Sequence, residues 1–486
     1  MTSRSLYPTA ARYVGRFSVC ALAAYFLYKT IRYSELNPFL LVVLAGIGVL
    51  GVWYGTGKSR TYFTPLFFGA YYSLGFLGTL SLVISKLEEV KIDGHGGYGS
   101  FQFNNYHFEG FVIATISGAL GLICGILLFQ RFTLGQKIGP TMWSESAQSS
   151  RIITFWFIAT ILNILVLWSL GIGQAGLVAG TRLPRGIATA MVYTKNLLSP
   201  CIGLLFLEVA LRESRIKRVG IILVALFIIG LIGTIGGLSR GYFVSTFGVA
   251  IIYAILRNWG AIRGSRRLVG YAIVGCMALP FVTYLVNEMR VAGYGQGSAK
   301  ITNAVDIRGI ATGFALDDAL EQVLALATER IGGSRELMAA QSSGISNLYA
   351  PIALFIGDDD EIANLHIAVF GFLPNQDNTT AYGVEFGLFG MFALSGHYIV
   401  IFVGCLLGGL LVIYIESRFT ERNLGSAALF FVVYFGSMVW GNAYFSIMYK
   451  SLLAVGVCLF VVSRFQMKMK YDVTKMEPRL LATQRH

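Results

Sequence analysis

Apolar runs of about 20 residues recur from one end of this chain to the other, and no other feature restricts its fold as tightly. A helix of that length crosses roughly 30 Å of hydrocarbon. It also satisfies its own backbone hydrogen bonds where water cannot, so a chain built of such runs folds as a bundle of membrane helices. About twelve spans are expected, at residues 17–34, 37–56, 62–85, 108–129, 152–173, 189–211, 219–237, 243–257, 268–288, 386–415, 424–441 and 445–463. With 55% hydrophobic and only 13% charged residues over 486 positions, the composition is too apolar for a soluble protein of this size.

Loop charge sets the expected orientation, because Lys and Arg resist translocation and collect on the cytoplasmic side. Placing both termini in the cytoplasm puts most of the 38 basic residues there, including Arg212, Arg215, Lys217, Arg218, Arg257, Arg263, Arg266 and Arg267, and most of the 25 acidic residues outside. The net charge of +13 then reports topology and calls for no nucleic-acid partner. All six cysteines, Cys20, Cys124, Cys201, Cys276, Cys405 and Cys458, fall inside apolar runs, which gives neither a disulfide framework nor metal-ligand spacing. The first run has no small-residue cleavage site and is followed at once by a second, so it reads as a retained span. A bacterial inner membrane suits such a chain.

Four external segments interrupt the spans: residues 86–107, residues 174–185, the short turn at Arg240, and residues 290–385. The last is far the longest and carries internal periodicity, which makes it a small domain more than a connector. The chain thus divides into spans one to nine (1–289), a large external loop (290–385), spans ten to twelve (386–463) and a cytoplasmic tail (464–486). Within the loop, Leu316, Leu320, Val323, Leu324, Ala327 and Ile331 recur at helical spacing before Gly332-Gly333, the pattern of an amphipathic helix with a glycine terminator. Weaker apolar stretches at 348–356 and 362–373 predict short helices on or dipping into the outer membrane face.

Arg240 sits in Gly236-Gly237-Leu238-Ser239-Arg240-Gly241-Tyr242-Phe243, pinched between two spans. A permanent cation there either anchors the helices to lipid headgroups or waits for an anion. The flanking glycines let a ligand approach, and the external side is the rarer one for an anchor. Arginine suits a pyrophosphate, because its fork pairs two oxygens at once and stays charged. Arg182 and Arg185, either side of Pro184, face the same way on this topology, in front of a span whose outer end also carries Tyr193 and Lys195. Arg290 heads the large loop, and Arg330 ends the amphipathic helix, where it could simply complement the dipole. Glu385 opens the tenth run; an acid there is either dipole compensation or a functional group entering an apolar span. His366 is a lone external histidine. Residues 358–361, Asp-Asp-Asp-Glu, read as a solvated face, and no metal is expected. His397 falls inside a span, where a neighbouring helix should satisfy it.

Twelve spans with cytoplasmic termini, external arginines and a dominant loop before the tenth span together resemble the Wzy-type O-antigen and oligosaccharide repeat-unit polymerases. Gly237-Leu238-Ser239-Arg240-Gly241 is similar to the small-Ser-Arg-Gly turn of that family, and Glu385-Phe386-Gly387-Leu388-Phe389-Gly390 to the Glu-x-Gly-x-x-Gly opening it shares with O-antigen ligases. Ligases carry a functional His about eleven residues before the first of those glycines; here Gln376, Asp377 and Asn378 stand there, which favours a polymerase. The resemblance implies an all-α fold of the C-type glycosyltransferase kind, joining undecaprenyl-pyrophosphate-linked oligosaccharides on the periplasmic face of the inner membrane. It implies arginine charge in place of a metal, no cofactor, membrane lipid as surroundings and a chain-length regulator protein as a candidate partner. Arg240, Arg182, Arg185, Arg290 and Arg330 would hold the pyrophosphate, with Glu385, Asp377 and His366 as candidate bases. A ligase, or a flippase of the same lipid-linked unit, is the alternative.

Overall fold

The computed structural model describes residues 9–57, 61–78, 80–81, 105–133, 150–173, 183–213, 215–257, 266–294, 334–356, 359–370, 387–421, 424–441 and 456. Every element among them is helical: α1 (Thr9–Tyr33), α2 (Pro38–Gly57), α3, which runs from Phe63–Leu66 straight into the π-helical Phe67–Gly78, α4 (Asn105–Thr133) and α5 (Ser150–Ser169). Next come α6, assembled from Arg185–Tyr193, the π-helical Thr194–Leu198 and Ser199–Arg212, then α7 (Ile216–Gly237), and α8, assembled from Arg240–Phe243, the π-helical Val244–Gly248 and Val249–Arg257. The rest are α9 (Arg266–Tyr294), α10 (Ser334–Ser342), α11 (Ala350–Ile356), α12 (Asp359–Phe370), α13 (Leu388–Ala393), α14 (Tyr398–Glu421) and α15 (Gly425–Gly441).

The fold is all-α, and it is that of a membrane protein. Among the described residues seven stretches are long and apolar enough to span a bilayer: Pro38–Gly57, Phe108–Phe129, Arg151–Ser169, Gly186–Arg212, Ile216–Gly237, Val269–Met289 and Tyr398–Thr420. Gly241–Arg257 and Gly425–Tyr434 are apolar but shorter. The short helices expected at 348–356 and 362–373 form as α11 and α12, whereas α10, directly after the Gly332-Gly333 pair, has no counterpart in the apolar pattern. The expected amphipathic helix before that pair lies outside the described residues.

The chain forms two compact units, one of Met1–Gln136, Gly313–Ser417 and Phe431–Tyr449, the other of Lys137–Thr312, Arg418–Phe430 and Lys450–His486. In the first, small residues let helices touch, as dispersion-driven packing in lipid requires. A β-carbon added at Gly51 would fall 2.2 Å from the Phe68 ring, and at Gly121 or Gly125 it would meet the backbone carbonyls of Phe402 and Leu406 in α14. An aromatic column fills the centre: Phe67, Phe68, Tyr72 and Phe76 of α3 are buried, and Phe76 stacks on Phe389 of α13 at 5.0 Å. Glu416, buried in α14, accepts the backbone N–H groups of Tyr62 and Phe63, the latter at 3.2 Å, and so closes the start of α3.

The tenth apolar run, expected as one span over 386–415, is two helices. Between α13 and α14 the backbone turns at Gly396, with φ of +73°, where a β-carbon would also collide with Ser346. The freed groups find partners locally: the Ser395 hydroxyl donates to the Phe392 carbonyl at 2.7 Å, and the Asn347 N–H to the Leu394 carbonyl at 3.0 Å. His397, expected inside a span, is exposed in this break, its N–H on Ser395 Oγ at 3.2 Å.

In the second unit α7 is the central helix, with α5, α6, α8 and α9 packed on it. Trp156 of α5 fills the gap over Gly203 and donates its indole N–H to the Ser199 carbonyl at 3.0 Å. At one end, buried Glu208 of α6 accepts the N–H (3.1 Å) and hydroxyl (2.8 Å) of Ser426 at the start of α15, and pairs with Arg212 one turn on.

Candidate functional site

The site is built on the turn that ends α7. Leu238 adopts the left-handed conformation, φ 48° and ψ 34°. Its N–H donates to the Ile235 carbonyl at 3.3 Å, and the Ser239 N–H to the Thr234 carbonyl at 3.1 Å. That pair of bonds is a Schellman closure of the helix. A left-handed leucine costs about 1–2 kcal/mol. Burying its side chain is worth about 1.5–3 kcal/mol, which offsets the strain. The burial is real: Leu238 is 1% exposed and packs with Leu285, Val286 and Met289 of α9, with Ile235 and Phe281 beside them. α9 therefore holds the turn in shape, and Ser239 then extends to let Arg240 open α8.

α6 approaches this turn through its π-helical segment. Pro200 has no N–H and its ring crowds the carbonyl of Asn196, so an α-helical register cannot pass through Thr194–Leu198 unchanged. The chain widens to a π turn, a form that concentrates at functional sites. Lys195 lies in it and is only 3% exposed. Its ammonium rests against the bare backbone of Gly237: a β-carbon there would fall 2.6 Å from Nζ and 3.6 Å from the Gly173 carbonyl oxygen. The Tyr242 ring of α8 stands 5.4 Å from the ammonium, and its phenol donates to the Lys195 carbonyl at 3.1 Å. Among the described residues no carboxylate pairs with Lys195 and no acceptor takes its protons. Holding an ammonium out of water without a counter-ion costs on the order of several kcal/mol. One turn up α7, the fully buried Thr234 hydroxyl also lacks a partner among the described residues.

The predicted arginines distribute as follows. Arg240 is the first residue of α8, on the turn itself. Arg290 follows Met289 in α9, one of the residues packed on Leu238, so the turn brings Arg240 and Arg290 to the same end of the unit. Arg185 opens α6 after Pro184, upstream of Lys195 on the same helix. Arg182 and Arg330 lie outside the described residues, as do Asp377 and Glu385. His366 belongs to α12 of the other unit. Near it, Glu361 accepts the Asn347 side-chain amide at 2.8 Å, and among the described residues no group of three His, Cys, Asp or Glu side chains is placed to hold a metal.

Lys195 is the residue that the sequence reading passed over. The signal was present, an ionisable side chain inside an apolar run, which marks a functional site by default. What was not legible is that Gly237, one helix away, opens the space its head occupies. No protein-family model, curated protein or solved structure matches the chain.

Proposed function

We propose that the protein polymerises polyprenyl-pyrophosphate-linked oligosaccharide repeat units on the periplasmic face of a bacterial inner membrane, as a twelve-span C-type glycosyltransferase with cytoplasmic termini. The observation that carries this reading is the Gly237–Arg240 turn. A left-handed residue locked by α9 fixes the starts and ends of three helices, and with them the backbone positions of Arg240 and Arg290, at one place. Cations set by a rigid frame suit a leaving pyrophosphate, whose negative charge grows as its bond to the sugar breaks. In the reaction an acceptor hydroxyl attacks the anomeric carbon of the donor sugar, the carbon–oxygen bond to pyrophosphate breaks, and a base takes the hydroxyl proton. Glu385, Asp377 and His366 are the candidates for that base, and Arg182, Arg185 and Arg330 join Arg240 and Arg290 as candidates for the pyrophosphate. A chain-length regulator would act on the same assembly.

Reconstitution tests this. The purified protein, given polyprenyl-pyrophosphate repeat units in vesicles, is expected to build a ladder of longer chains without nucleotide or added metal. Units that only cross the bilayer would make it a flippase, and a requirement for a lipid A core acceptor would make it a ligase; either result ends the polymerase reading.

A further inference from the structure

In a Schellman turn glycine belongs at the left-handed position, since only there does a β-carbon strain its own backbone. Here that position holds Leu238, and the glycine stands one residue earlier, at Gly237, inside the helix. Nothing in the backbone of Gly237 calls for glycine. What lies in the space is the Lys195 ammonium, which any side chain at 237 would push aside. The sequence thus keeps space for a cation beneath the turn and accepts a left-handed leucine beside it. Two ordinary roles for such a lysine fail. A snorkelling lysine reaches outward to water, and this one is only 3% exposed. A structural ion pair has a counter-ion, and none is present among the described residues.

We infer that Lys195 is a phosphate-binding residue, whose ammonium receives one phosphoryl group of a lipid-linked pyrophosphate from beneath the Arg240 turn, and that Tyr242 is its positioning residue. This rests on the reading of the site given above, to which it adds a ligand-contacting cation. The ammonium lies against the bare backbone of Gly237, directly beneath the turn that carries Arg240. A phosphate oxygen then supplies the acceptor that no described residue provides, in a setting where burial strengthens a charge-assisted bond. Tyr242 fixes the height of the lysine by its bond to the Lys195 carbonyl and bounds the head with its ring. The π turn ahead of Pro200 presents the side chain to this space.

Binding of geranylgeranyl pyrophosphate to the full-length protein in nanodiscs tests the inference, with geranylgeraniol and inorganic pyrophosphate as comparison probes and the thermal midpoint as a check on folding. Lys195→Met keeps the stem and removes the charge. It is expected to melt no lower than the wild type, since it discards an uncompensated buried charge, yet to bind the prenyl pyrophosphate ten- to a hundredfold more weakly. Lys195→Gln is measured beside it, so that a folded neutral variant is in hand. Tyr242→Phe should fall between them and the wild type. Wild-type affinity in the folded neutral variants overturns the inference and leaves the polymerase reading standing. Equal binding of geranylgeraniol would show that no phosphate is read, which overturns the inference and the pyrophosphate role of the arginines with it. Equal binding of inorganic pyrophosphate, lost in Lys195→Met, upholds the phosphate site while removing the lipid-linked ligand, and with it the polymerase reading.

Discussion

Two charges buried along α6 are treated in opposite ways. At one end the carboxylate of Glu208 takes the Ser426 N–H and hydroxyl and the Arg212 guanidinium. In the other unit Glu416 does the same for the first N–H groups of α3. Both acids convert the unpaired donors at a helix start into charge-assisted bonds, which is what a structural charge in an apolar setting must do. Lys195, thirteen residues before Glu208, is as deeply buried, and among the described residues its ammonium meets the Tyr242 ring but no carboxylate. The difference separates charges answered by the fold from one that, on the proposal above, a ligand answers.

The largest effects should come from the answered charges. Glu416→Ala removes the buried carboxylate from the Tyr62 and Phe63 N–H groups, and Glu208→Ala removes it from Ser426 and Arg212; each is expected to cost about 3 kcal/mol. The readout is the thermal midpoint of the purified protein. Unchanged midpoints in both would mean that these carboxylates are not structural, and the contrast with Lys195 would lose its meaning.

Next in size is the turn arginine. Arg240→Lys keeps the charge but loses the bidentate fork, and a lost charge-assisted contact of ~1.5–3 kcal/mol corresponds to a drop in polymer formation of about ten- to a hundredfold. The midpoint should stay where it was. Wild-type chain lengths from this variant would return Arg240 to the role of a headgroup anchor.

These predictions draw on a fold that the sequence revealed unevenly. Periodicity and length were sufficient for an all-α membrane chain, because a run such as Ile216–Gly237 has no other way to bury its backbone. They failed where a helix changes character without losing hydrophobicity. The break at Gly396 and the π turn at Thr194–Leu198 both lie within runs long and apolar enough overall to be taken as single spans, each marked only by a few polar residues. The break is packed by another element, Ser346 against Gly396, and the π turn that Pro200 imposes within its own helix is then met by Tyr242 at Lys195. The arginine turn was visible as a motif, since two glycines and a serine between apolar runs mark a connector. Its partner was not, because the space at Gly237 exists only once α6 lies beside α7.

Tyr242→Phe is a smaller perturbation, removing one buried hydrogen bond for about 1 kcal/mol of stability. A midpoint drop matching that of Glu416→Ala would make Tyr242 part of the frame more than a support for Lys195.

The finest distinction concerns Leu238, whose conformation carries the turn. In an ordinary helical position glycine is worse than alanine by about 1 kcal/mol. At a left-handed position the order reverses. Leu238→Ala loses the contacts with Leu285, Val286 and Met289 and keeps the strain, while Leu238→Gly loses the same contacts and sheds about 1–2 kcal/mol of it. Both variants should melt below the wild type, with glycine the higher of the two. An alanine variant more stable than the glycine variant would mean that the chain passes residue 238 as a continuing helix. In that case the backbone at Ser239 and Arg240 would take another course past Gly237, and the proposed pyrophosphate site would lose its frame.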